Sequence, residues 1–388
     1  MKILIVSLLR LGDVLLALPL LESIRKENPE AEIHFLVNRS SEGLEPIVPY
    51  VKSWHYFNRI ELQKGLGEYQ TPIFDSYHQL AELVDKLNSE KFDRLINLTQ
   101  NRLSGWLCAA IDAEDKLGFV LSRSGGIRYG SSWFRYLNDY GAGGAKDIFH
   151  YSDIFSYGAG YVPSQKVELN ETQQGWKEAA DILGTDSYEG PLVILQALTS
   201  DNKKDWGLNH WAEMAICLKG LLPKSRVIAL GANFEQEKIE TLIEKCLEKK
   251  IKIEKAICSL PTALSLLNRS HLLITGDTSI KHLAGFTNCS VIELSMGSSD
   301  YRKTGIYRGG NLILQALESC APCSHTQSCF HKDPICRDKI SPILVALVAK
   351  SLLADNKEEL LALTRKWREK VDILKTHFTS SGYWMATN

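Results

Sequence analysis

Short apolar segments rich in Val, Ile and Leu alternate with amphipathic segments along most of this 388-residue chain. This alternation is typical of parallel β-sheets covered by helices and predicts an α/β fold. Helical patterns lie between the apolar segments, for example at residues 14–26 and 77–87. The predicted strands form two series, at residues 3–6, 32–37, 54–57, 94–98 and 116–119, and at residues 192–195, 227–230, 272–275, 291–294 and 311–314.

Two series of strands predict two sheets, joined near residues 165–190. The length of the chain also agrees with two or three domains, because one domain usually has ~100–200 residues. We expect a first domain at residues 1–170, a second at residues 185–345 and a C-terminal segment at residues 346–388. Residues 125–161 are rich in Gly, Ser and aromatic side chains, and we expect loops or irregular surface helices there.

The C-terminal segment has six apolar residues spaced three or four apart: Leu360, Leu363, Trp367, Val371, Leu374 and Phe378. This spacing predicts one face of a helix over residues 357–378. The other face carries five basic residues: Arg365, Lys366, Arg368, Lys370 and Lys375. Such a face suits an anionic membrane surface, although a solvated helix face is the commoner explanation of the pattern.

The charges nearly balance, since 45 Lys and Arg face 46 Asp and Glu for a formal net charge of -1. No overall field therefore attracts a nucleic acid, and we expect no nucleic-acid partner. Arg10 and Asp13 interrupt the apolar start, and the uncharged run at residues 14–21 is much shorter than the ~20 residues of a membrane span. Nine cysteines, an odd number, without a secretion signal favour reduced thiols in a cytoplasmic protein.

The first motif that could carry chemistry is Gly12-Asp13, directly after the first predicted strand. Ligands of open α/β sheets bind beyond the carboxyl ends of the strands, so the Asp13 carboxylate lies where chemistry usually occurs. Asp13 could equally be an N-cap that accepts hydrogen bonds from free helix amides. The glycines of this segment do not form GxGxxG, which disfavours a dinucleotide site and a dehydrogenase.

Two loops of the second half also follow predicted strands. The loop at residues 199–206 contains Thr199, Ser200, Lys203 and Lys204, which suit a phosphate; a solvated loop explains it about as well. The loop at residues 275–279 leads into a helix, whose amides could bind an anion, while Asp277 and Thr278 could be plain caps. Together the two loops fit a diphosphate better than either does alone.

The last motif is a group of four cysteines with the spacing C-x2-C-x5-C-x6-C: Cys320, Cys323, Cys329 and Cys336. Four thiolates this close in sequence could hold a tetrahedral zinc or iron ion. The wider gaps match no zinc ribbon, so a local disulfide or free thiols are the alternatives. A metal with four thiolate ligands would be structural, because it has no open position for a substrate. The other five cysteines stand singly and are expected to be packing residues.

The motifs together resemble glycosyltransferase family 9, the heptosyltransferases that transfer heptose from ADP-heptose in lipopolysaccharide core synthesis. The resemblance covers nearly the whole chain and depends on the order and spacing of its parts. These are Leu11-Gly12-Asp13; residues 97–102; His150 with Asp153; Lys204-Asp205-Trp206 before His210-Trp211; Gly276-Asp277-Thr278 before His282-Leu283; and the cysteines before Ile340-Ser341-Pro342.

The resemblance implies a GT-B architecture: two facing Rossmann-like domains with parallel sheets, and a C-terminal helix that crosses back to the first domain. It implies that the N-terminal domain binds the acceptor and the C-terminal domain the nucleotide sugar. It places the general base on Asp13 and acceptor-binding residues on Arg10, Gly12 and Arg102. The catalytic and donor-phosphate lysine falls on Lys204. The donor-binding set is Thr199, Ser200, Lys204, Glu235 (with Glu237 as its alternative), Asp277, Thr278, Ser279 and His282.

The implied reaction is an inverting transfer of heptose from ADP-heptose to a lipopolysaccharide core-type acceptor, without a catalytic metal. A protein acceptor is an alternative, and so is a nucleotide-sugar-binding module that has lost turnover. The family has Gly where this chain has Ser279, so the donor could differ from ADP-heptose. We expect a cytoplasmic enzyme with a lipid-linked or protein acceptor and a peripheral contact with the inner face of the cytoplasmic membrane.

Overall fold

The computed structural model describes residues 1–62, 73–139, 149–184, 189–324, 327–331 and 334–388. The chain divides into two compact units, Met1–Asn170 and Glu171–Asn388. Each unit contains one large sheet whose central strands are parallel, so the predicted α/β class with parallel sheets is confirmed. None of the helices in the described ranges combines the length and apolar character that crossing a bilayer requires.

The first unit contains a five-stranded parallel sheet with strand order β3-β2-β1-β4-β5. Its strands are β1 (Lys2–Ser7), β2 (Glu32–Asn38), β3 (Ser53–Phe57), β4 (Phe92–Asn97) and β5 (Ala113–Gly118), followed by the short antiparallel pair β6 (Val120–Leu121) and β7 (Ile127–Arg128). Its helices are α1 (Leu11–Glu27), α2 (Ile73–Ser89), α3 (Arg102–Ala110), α4 (Ser132–Asp139) and α5 (Tyr151–Gly158).

Strand β1 is almost continuously apolar and is buried at Ile3, Leu4, Ile5 and Val6, as expected of a central parallel strand. Helix α1 covers the sheet with a long apolar surface that also packs against α5. The stretch expected to be irregular contains β7, α4 and α5, while its residues 140–148 lie outside the described ranges.

The second unit contains an eight-stranded sheet with order β10-β9-β8-β11-β12-β13-β14-β15. Its strands are β8 (Leu192–Gln196), β9 (Arg226–Gly231), β10 (Glu254–Ile257), β11 (Leu272–Thr275), β12 (Ser290–Ser295), β13 (Leu312–Ala316), β14 (Val371–Phe378) and β15 (Trp384–Thr387). Its helices are α6 (Gln173–Leu183), α7 (Leu208–Leu221), α8 (Gln236–Glu248), α9 (Leu260–Arg269), α10 (Ser279–Ala284), α11 (Tyr301–Thr304), α12 (Pro342–Leu353) and α13 (Lys357–Trp367).

The first six strands of this sheet are parallel, and their order is that of the doubly wound dinucleotide-binding fold. In the first unit the order reverses between β1 and β4, and in the second between β8 and β11. A crevice forms outside the carboxyl ends of the strands at such a reversal. The loops after these four strands are therefore the places where a ligand is expected.

The helix predicted over residues 357–378 is wrong in its second half. Helix α13 ends at Trp367, and Val371–Phe378 forms β14, which pairs antiparallel with β13. An apolar spacing of three or four does not exclude a strand, and the free edge of β13 offers backbone partners that a helix could not use. The C-terminal segment therefore does not consist only of helices: its last strands complete the sheet of the second unit.

Candidate functional site

The loops after β8 and β11 meet at the strand-order reversal of the second unit. The Lys204 Nζ donates a hydrogen bond to Asp277 Oδ2, which joins the two loops. Both side chains are largely buried, with 12% and 7% of their surface exposed. Burial alone would raise the pKa of Asp277, but the ammonium groups of Lys281 and Lys204 outweigh burial and hold that pKa well below its usual value. The structure thus brings together Lys204 and Asp277, two residues that the sequence named in separate motifs.

A second lysine, which the sequence analysis missed, binds the other oxygen of Asp277. Lys281 is completely buried, and its Nζ donates to Asp277 Oδ1 at 2.6 Å. It also donates to Glu293 Oε1 at 2.8 Å and to the Thr304 carbonyl at 2.7 Å, so all three of its protons have an acceptor. Two signals could have revealed this cluster: Lys281 lies four residues after Asp277, and Glu293 interrupts an apolar strand.

Glu293 is also completely buried, on β12. Its Oε2 accepts a hydrogen bond from the Ile306 amide at 3.0 Å, so both of its oxygens have donors. Burial raises the pKa of Glu293, although the Lys281 ammonium opposes that shift. The result is a row of alternating charges, Lys204, Asp277, Lys281 and Glu293, that begins at the carboxyl edge of the sheet and ends in its interior.

The two adjacent lysines of the 199–206 loop do different things. Lys203 Nζ donates to the carbonyls of Ser324 and Gln327, at 2.7 and 2.8 Å, and so holds the cysteine segment. Gly297 lies against the Lys203 carbonyl with φ of +60°, where a Cβ would come within 1.8 Å. Lys203 is therefore built into the protein framework, and Lys204 reaches the edge of the sheet.

The other predicted donor-binding residues lie around the same edge. Thr199 donates to the Asp201 carbonyl at 3.0 Å, and Ser200 is exposed. The Thr278 hydroxyl accepts from the Lys281 amide at 3.4 Å, so Thr278 is the N-cap of α10, which was the alternative given for it. Ser279 is half-buried at the start of that helix.

Two further residues of the predicted donor set also have structural partners. Glu235 follows β9 and accepts from the Ala232 amide at 2.9 Å, while its alternative Glu237 is exposed. His282 is buried, and a positive charge on it would stabilise the carboxylate of Asp277. The ribose-binding role assigned to Glu235 or Glu237 stays a prediction.

In the first unit, Asp13 belongs to the first turn of α1. Arg10 is the N-cap, and Asp13, three residues later, accepts from the Arg10 amide at 3.0 Å. This is half of a capping box, so Asp13 caps the helix from within and is not itself the N-cap. Gly12 is likewise inside the helix. Asp13 is half-buried and Arg10 is exposed.

The loop after β4 supports the loop after β1. The Leu8 amide donates to Thr99 Oγ1 at 2.8 Å, and the Thr99 amide donates to Asn97 Oδ1 at 2.9 Å. Asn101 then caps α3, whose first residue, Arg102, is exposed. Arg10, Gly12, Asp13 and Arg102 therefore lie at the carboxyl edge of one sheet, as the positions of their strands predicted.

All nine cysteines are free thiols. Cys320, Cys323 and Cys329 line a cavity of about 130 Å³, and Cys336 is buried nearby. Burial and the neighbouring thiols raise the pKa of Cys323. In the part of the chain that is described, no group of three or more His, Cys, Asp or Glu side chains has an arrangement that could hold a metal ion. The geometry thus gives no support to the predicted structural metal.

Comparison with known proteins decides the family. The sequence model of glycosyltransferase family 9 (heptosyltransferase) matches residues 80–333, well over half of the chain. The chain belongs to this family. It is therefore a glycosyltransferase, and the resemblance seen in the sequence motifs is confirmed.

Relatives of this glycosyltransferase agree with that assignment. The chain is 24% identical over 296 residues to the lipopolysaccharide core heptosyltransferase OpsX of Haemophilus influenzae, covering 75% of this chain and 77% of the relative. A family 9 glycosyltransferase from Veillonella parvula has a similar structure, with a TM-score of 0.73 and 18% identity. The match covers 92% of this chain and 98% of the Veillonella chain. The ADP-heptose lipopolysaccharide heptosyltransferase II of E. coli also has a similar structure, with a TM-score of 0.62 and 17% identity. The match covers 95% of this chain and 100% of the E. coli chain. The glycosyltransferase thus has the GT-B type of α/β fold.

Proposed function

We propose that this glycosyltransferase transfers heptose from ADP-heptose to a lipopolysaccharide core-type acceptor, with inversion at the anomeric carbon and with Asp13 as general base. The observation that carries the proposal is the joining of Lys204 to Asp277 at the edge of the second sheet. It puts an ammonium group at the strand-order reversal, where an α/β sheet binds nucleotides. A related E. coli heptosyltransferase, WaaC, has been crystallised with ADP-2-deoxy-2-fluoro heptose, which supports ADP-heptose as the donor.

Lys204 acts on the leaving group. As the glycosidic bond breaks, negative charge develops on the departing ADP, and an ammonium group in a largely buried setting stabilises that charge more than water does. The hydroxyls of Ser200 and Ser279 offer further donors to the phosphates, and the Thr199 hydroxyl does so if it releases the Asp201 carbonyl. Because Lys204 supplies the positive charge, the mechanism needs no catalytic metal, and chelation with EDTA is expected to leave activity unchanged.

Asp13 acts on the acceptor. A sugar hydroxyl is a poor nucleophile at neutral pH, so a carboxylate that takes its proton during attack accelerates the reaction. The capping-box contact with the Arg10 amide fixes the Asp13 carboxylate on a rigid helix. Arg10 and Arg102 are exposed at the same sheet edge and suit the anionic groups of a lipopolysaccharide core. One displacement at the anomeric carbon inverts its configuration.

The first unit also has a surface that suits an anionic membrane. Residues 98–111 and 116–137 contain no Asp or Glu. Arg102, Arg123 and Arg128 are exposed, and none of the three has an ion-pair partner in the described ranges. Trp106, on α3 beside β6, has 51% of its surface exposed, and an exposed tryptophan suits the interface between lipid and water. We place the peripheral membrane contact here instead of on α13, where Glu358 and Glu359 accompany the basic residues.

Nucleotide calorimetry tests the donor assignment. The wild type is expected to bind ADP at least tenfold more tightly than UDP or GDP, and to release ADP from ADP-heptose when a truncated lipopolysaccharide acceptor is present. Preference for another nucleoside diphosphate would overturn the ADP-sugar donor. Release of ADP only with a protein acceptor would favour the alternative acceptor.

Sedimentation with lipid vesicles tests the membrane contact. Binding to vesicles with 30% phosphatidylglycerol is expected, with about a tenfold loss in Arg123→Glu/Arg128→Glu. The matched control is Arg365→Glu/Lys366→Glu on α13, which makes the same change of charge. A larger loss in the control variant would move the contact to α13.

A further inference from the structure

Asp277 has two ammonium partners, one on each carboxylate oxygen. Lys204 binds Oδ2 from the edge of the sheet, and Lys281 binds Oδ1 from the interior at 2.6 Å. The two lysines differ in burial: the Lys204 side chain keeps 12% of its surface exposed and Lys281 none. Lys204 has room to turn toward a ligand, whereas Lys281, with three acceptors around its Nζ, is held in place.

This difference matters when a diphosphate binds. The Nζ of Lys204 has protons for both anions, but its single positive charge is then shared between Asp277 and the diphosphate, and any turn of the side chain toward the ligand weakens the contact with Asp277. A carboxylate that is 93% buried and loses its only cation would bear a large desolvation cost. Lys281 removes that cost, since it stays on Oδ1 in either position of Lys204.

We propose that Lys281 is a positioning residue for the donor: it keeps Asp277 neutralised while Lys204 turns to the diphosphate, and Glu293 holds Lys281 in place and limits the positive potential of the site. The proposal depends on the proposed function, because it takes the donor to be a nucleoside diphosphate sugar. Lys281 is not a catalytic residue in this account, since three protein acceptors surround its Nζ.

The charge order makes Lys281 and Glu293 act on diphosphate binding in opposite directions. Removing the Lys281 charge leaves Asp277 as an uncompensated anion beside the phosphates, and so weakens diphosphate binding. Removing the Glu293 charge leaves Lys281 more strongly positive behind Asp277, and so strengthens diphosphate binding. A purely structural role predicts the same direction for both changes, because each disturbs the same buried cluster.

Two variants separate these cases. In Lys281→Met/Glu293→Gln both charges are removed together, and the Gln oxygen still accepts from the Ile306 amide, so a folded protein is expected. Its Kd for ADP is expected to rise about tenfold, its KM for the donor to rise in parallel, and its kcat to change less than threefold. In Glu293→Gln alone, ADP is expected to bind about threefold more tightly, a small effect because Glu293 lies at the opposite end of the row from Lys204 and its charge acts there more weakly.

The control is Arg226→Met/Glu254→Gln, which removes another ion pair of the second unit, between the buried Arg226 of β9 and the partly exposed Glu254 of β10. It is expected to lower the melting temperature without changing the Kd for ADP. Binding of AMP provides a second control: the loss of affinity in the Lys281 variant should be at least threefold smaller for AMP than for ADP, since AMP carries less phosphate charge.

Three results would overturn the inference. One is an unchanged Kd and KM in the folded double variant. Another is weaker ADP binding in Glu293→Gln, which would show that the cluster acts only through folding; this arm also decides the matter if the double variant does not fold. The third is an equal loss for AMP and ADP. Failure of the wild type to bind any nucleoside diphosphate would instead overturn the proposed function, and with it this inference.

Discussion

Asp13 and Asp277 both lie beside the strand-order reversal of their own unit, Asp13 after the strand on one side of it and Asp277 after the strand on the other side, and they have different surroundings. Each follows a parallel strand beside a reversal of strand order, and each lies at the start of a helix. Asp13 is half-buried and accepts a backbone amide of its own helix at 3.0 Å. Asp277 has only 7% of its side chain exposed and binds two ammonium groups.

The difference shows that loops beside a strand-order reversal can support two kinds of chemistry. A general base must reach a substrate proton, so it has to remain accessible and keep an oxygen for the substrate. A residue that orients a phosphate-binding lysine has to be held firmly, and burial with charged partners provides that. We therefore expect the same Asp→Asn change to affect turnover in one unit and stability in the other.

The largest effect is expected for Asp277→Asn. It leaves the buried Lys281 and the largely buried Lys204 without their shared carboxylate, and losing one partner of a buried ion pair usually costs about 3–5 kcal/mol of the free energy of unfolding. Urea unfolding at pH 7 measures this loss of unfolding free energy. Asp355→Asn is the control, because Asp355 is exposed in the same unit and its change should cost less than about 0.5 kcal/mol. A loss below 1 kcal/mol for Asp277→Asn would show that the ion cluster is not needed for folding.

Asp13→Asn is expected to act on the rate instead. Loss of a general base should lower kcat by roughly a hundredfold or more, while the Kd for the donor stays within about threefold. Steady-state kinetics and calorimetry measure the two quantities. Glu27→Gln, the same chemical change at the exposed end of the same helix, should leave both unchanged. Near-normal turnover of Asp13→Asn would remove Asp13 from the role of base.

Two buried histidines of the first unit extend the comparison of the two units, because they make the stability of the protein depend on pH. His34 and His55 lie on adjacent strands, 2% and 3% exposed, with Nδ1 of His34 3.1 Å from Nε2 of His55. Burial lowers both pKa values, and the neighbouring His34 adds to the shift of His55, whose pKa is about 4. The first unit thus buries neutral imidazoles where the second buries an ion cluster.

Folded-state pKa values below the unfolded value of ~6.5 mean that the unfolded chain binds protons first as pH falls. Stability is therefore full above pH 6.5 and decreases toward pH 4; His55 alone should account for about 2 kcal/mol between pH 7 and pH 5. Urea unfolding of His55→Gln should show a flatter pH dependence than the wild type. Exposed His78, changed to Gln, is the control, and identical pH profiles for all three proteins would contradict the argument.

The smallest effect concerns the two adjacent lysines. Lys204→Ala should weaken ADP binding about tenfold, since a charge-assisted hydrogen bond to phosphate is lost. Lys203→Ala removes the same charge one residue earlier, from a side chain that holds the carbonyls of Ser324 and Gln327, and should change the affinity less than threefold. Calorimetry with ADP compares the two, and equal losses would mean that total charge, not the position of Lys204, sets the affinity.

Much of the fold followed from local pattern. All ten predicted strands overlap observed ones, because a strand buried on both faces of a parallel sheet is a short apolar segment that periodicity reveals. The pattern missed β10, whose sequence begins Glu254-Lys255, and it assigned Val371–Phe378 to a helix. Both segments lie outside the central strands of the sheet. In such outer segments the partner strand, and not the local sequence, decides the structure.

The candidate site shows the same division between what the local sequence predicts and what only the folded chain decides. The sequence predicted that Asp13, Lys204 and Asp277 belong to loops at the carboxyl ends of strands, because chain order and strand polarity determine the positions of these loops. It could not be predicted that Lys204 contacts Asp277 or that Lys203 faces another way. Lys281 and Glu293 left two signals in the sequence, but the pairing of their charges with Asp277 could not be predicted from those signals. Apart from the contact of Lys281 with Asp277, four positions away, these contacts join residues 12 to 124 positions apart, and their energies depend on burial that no local stretch of sequence specifies.

The amino-acid sequence by itself determined the α/β class, the two series of strands, the family and the loops in which chemistry should be sought. Only the tertiary structure decided which charges are paired, which carboxylate stays accessible and how the C-terminal segment folds. The physical reason is that strand and helix propensity depend on residues close in the chain, whereas desolvation and ion pairing depend on neighbours that only the folded chain brings together.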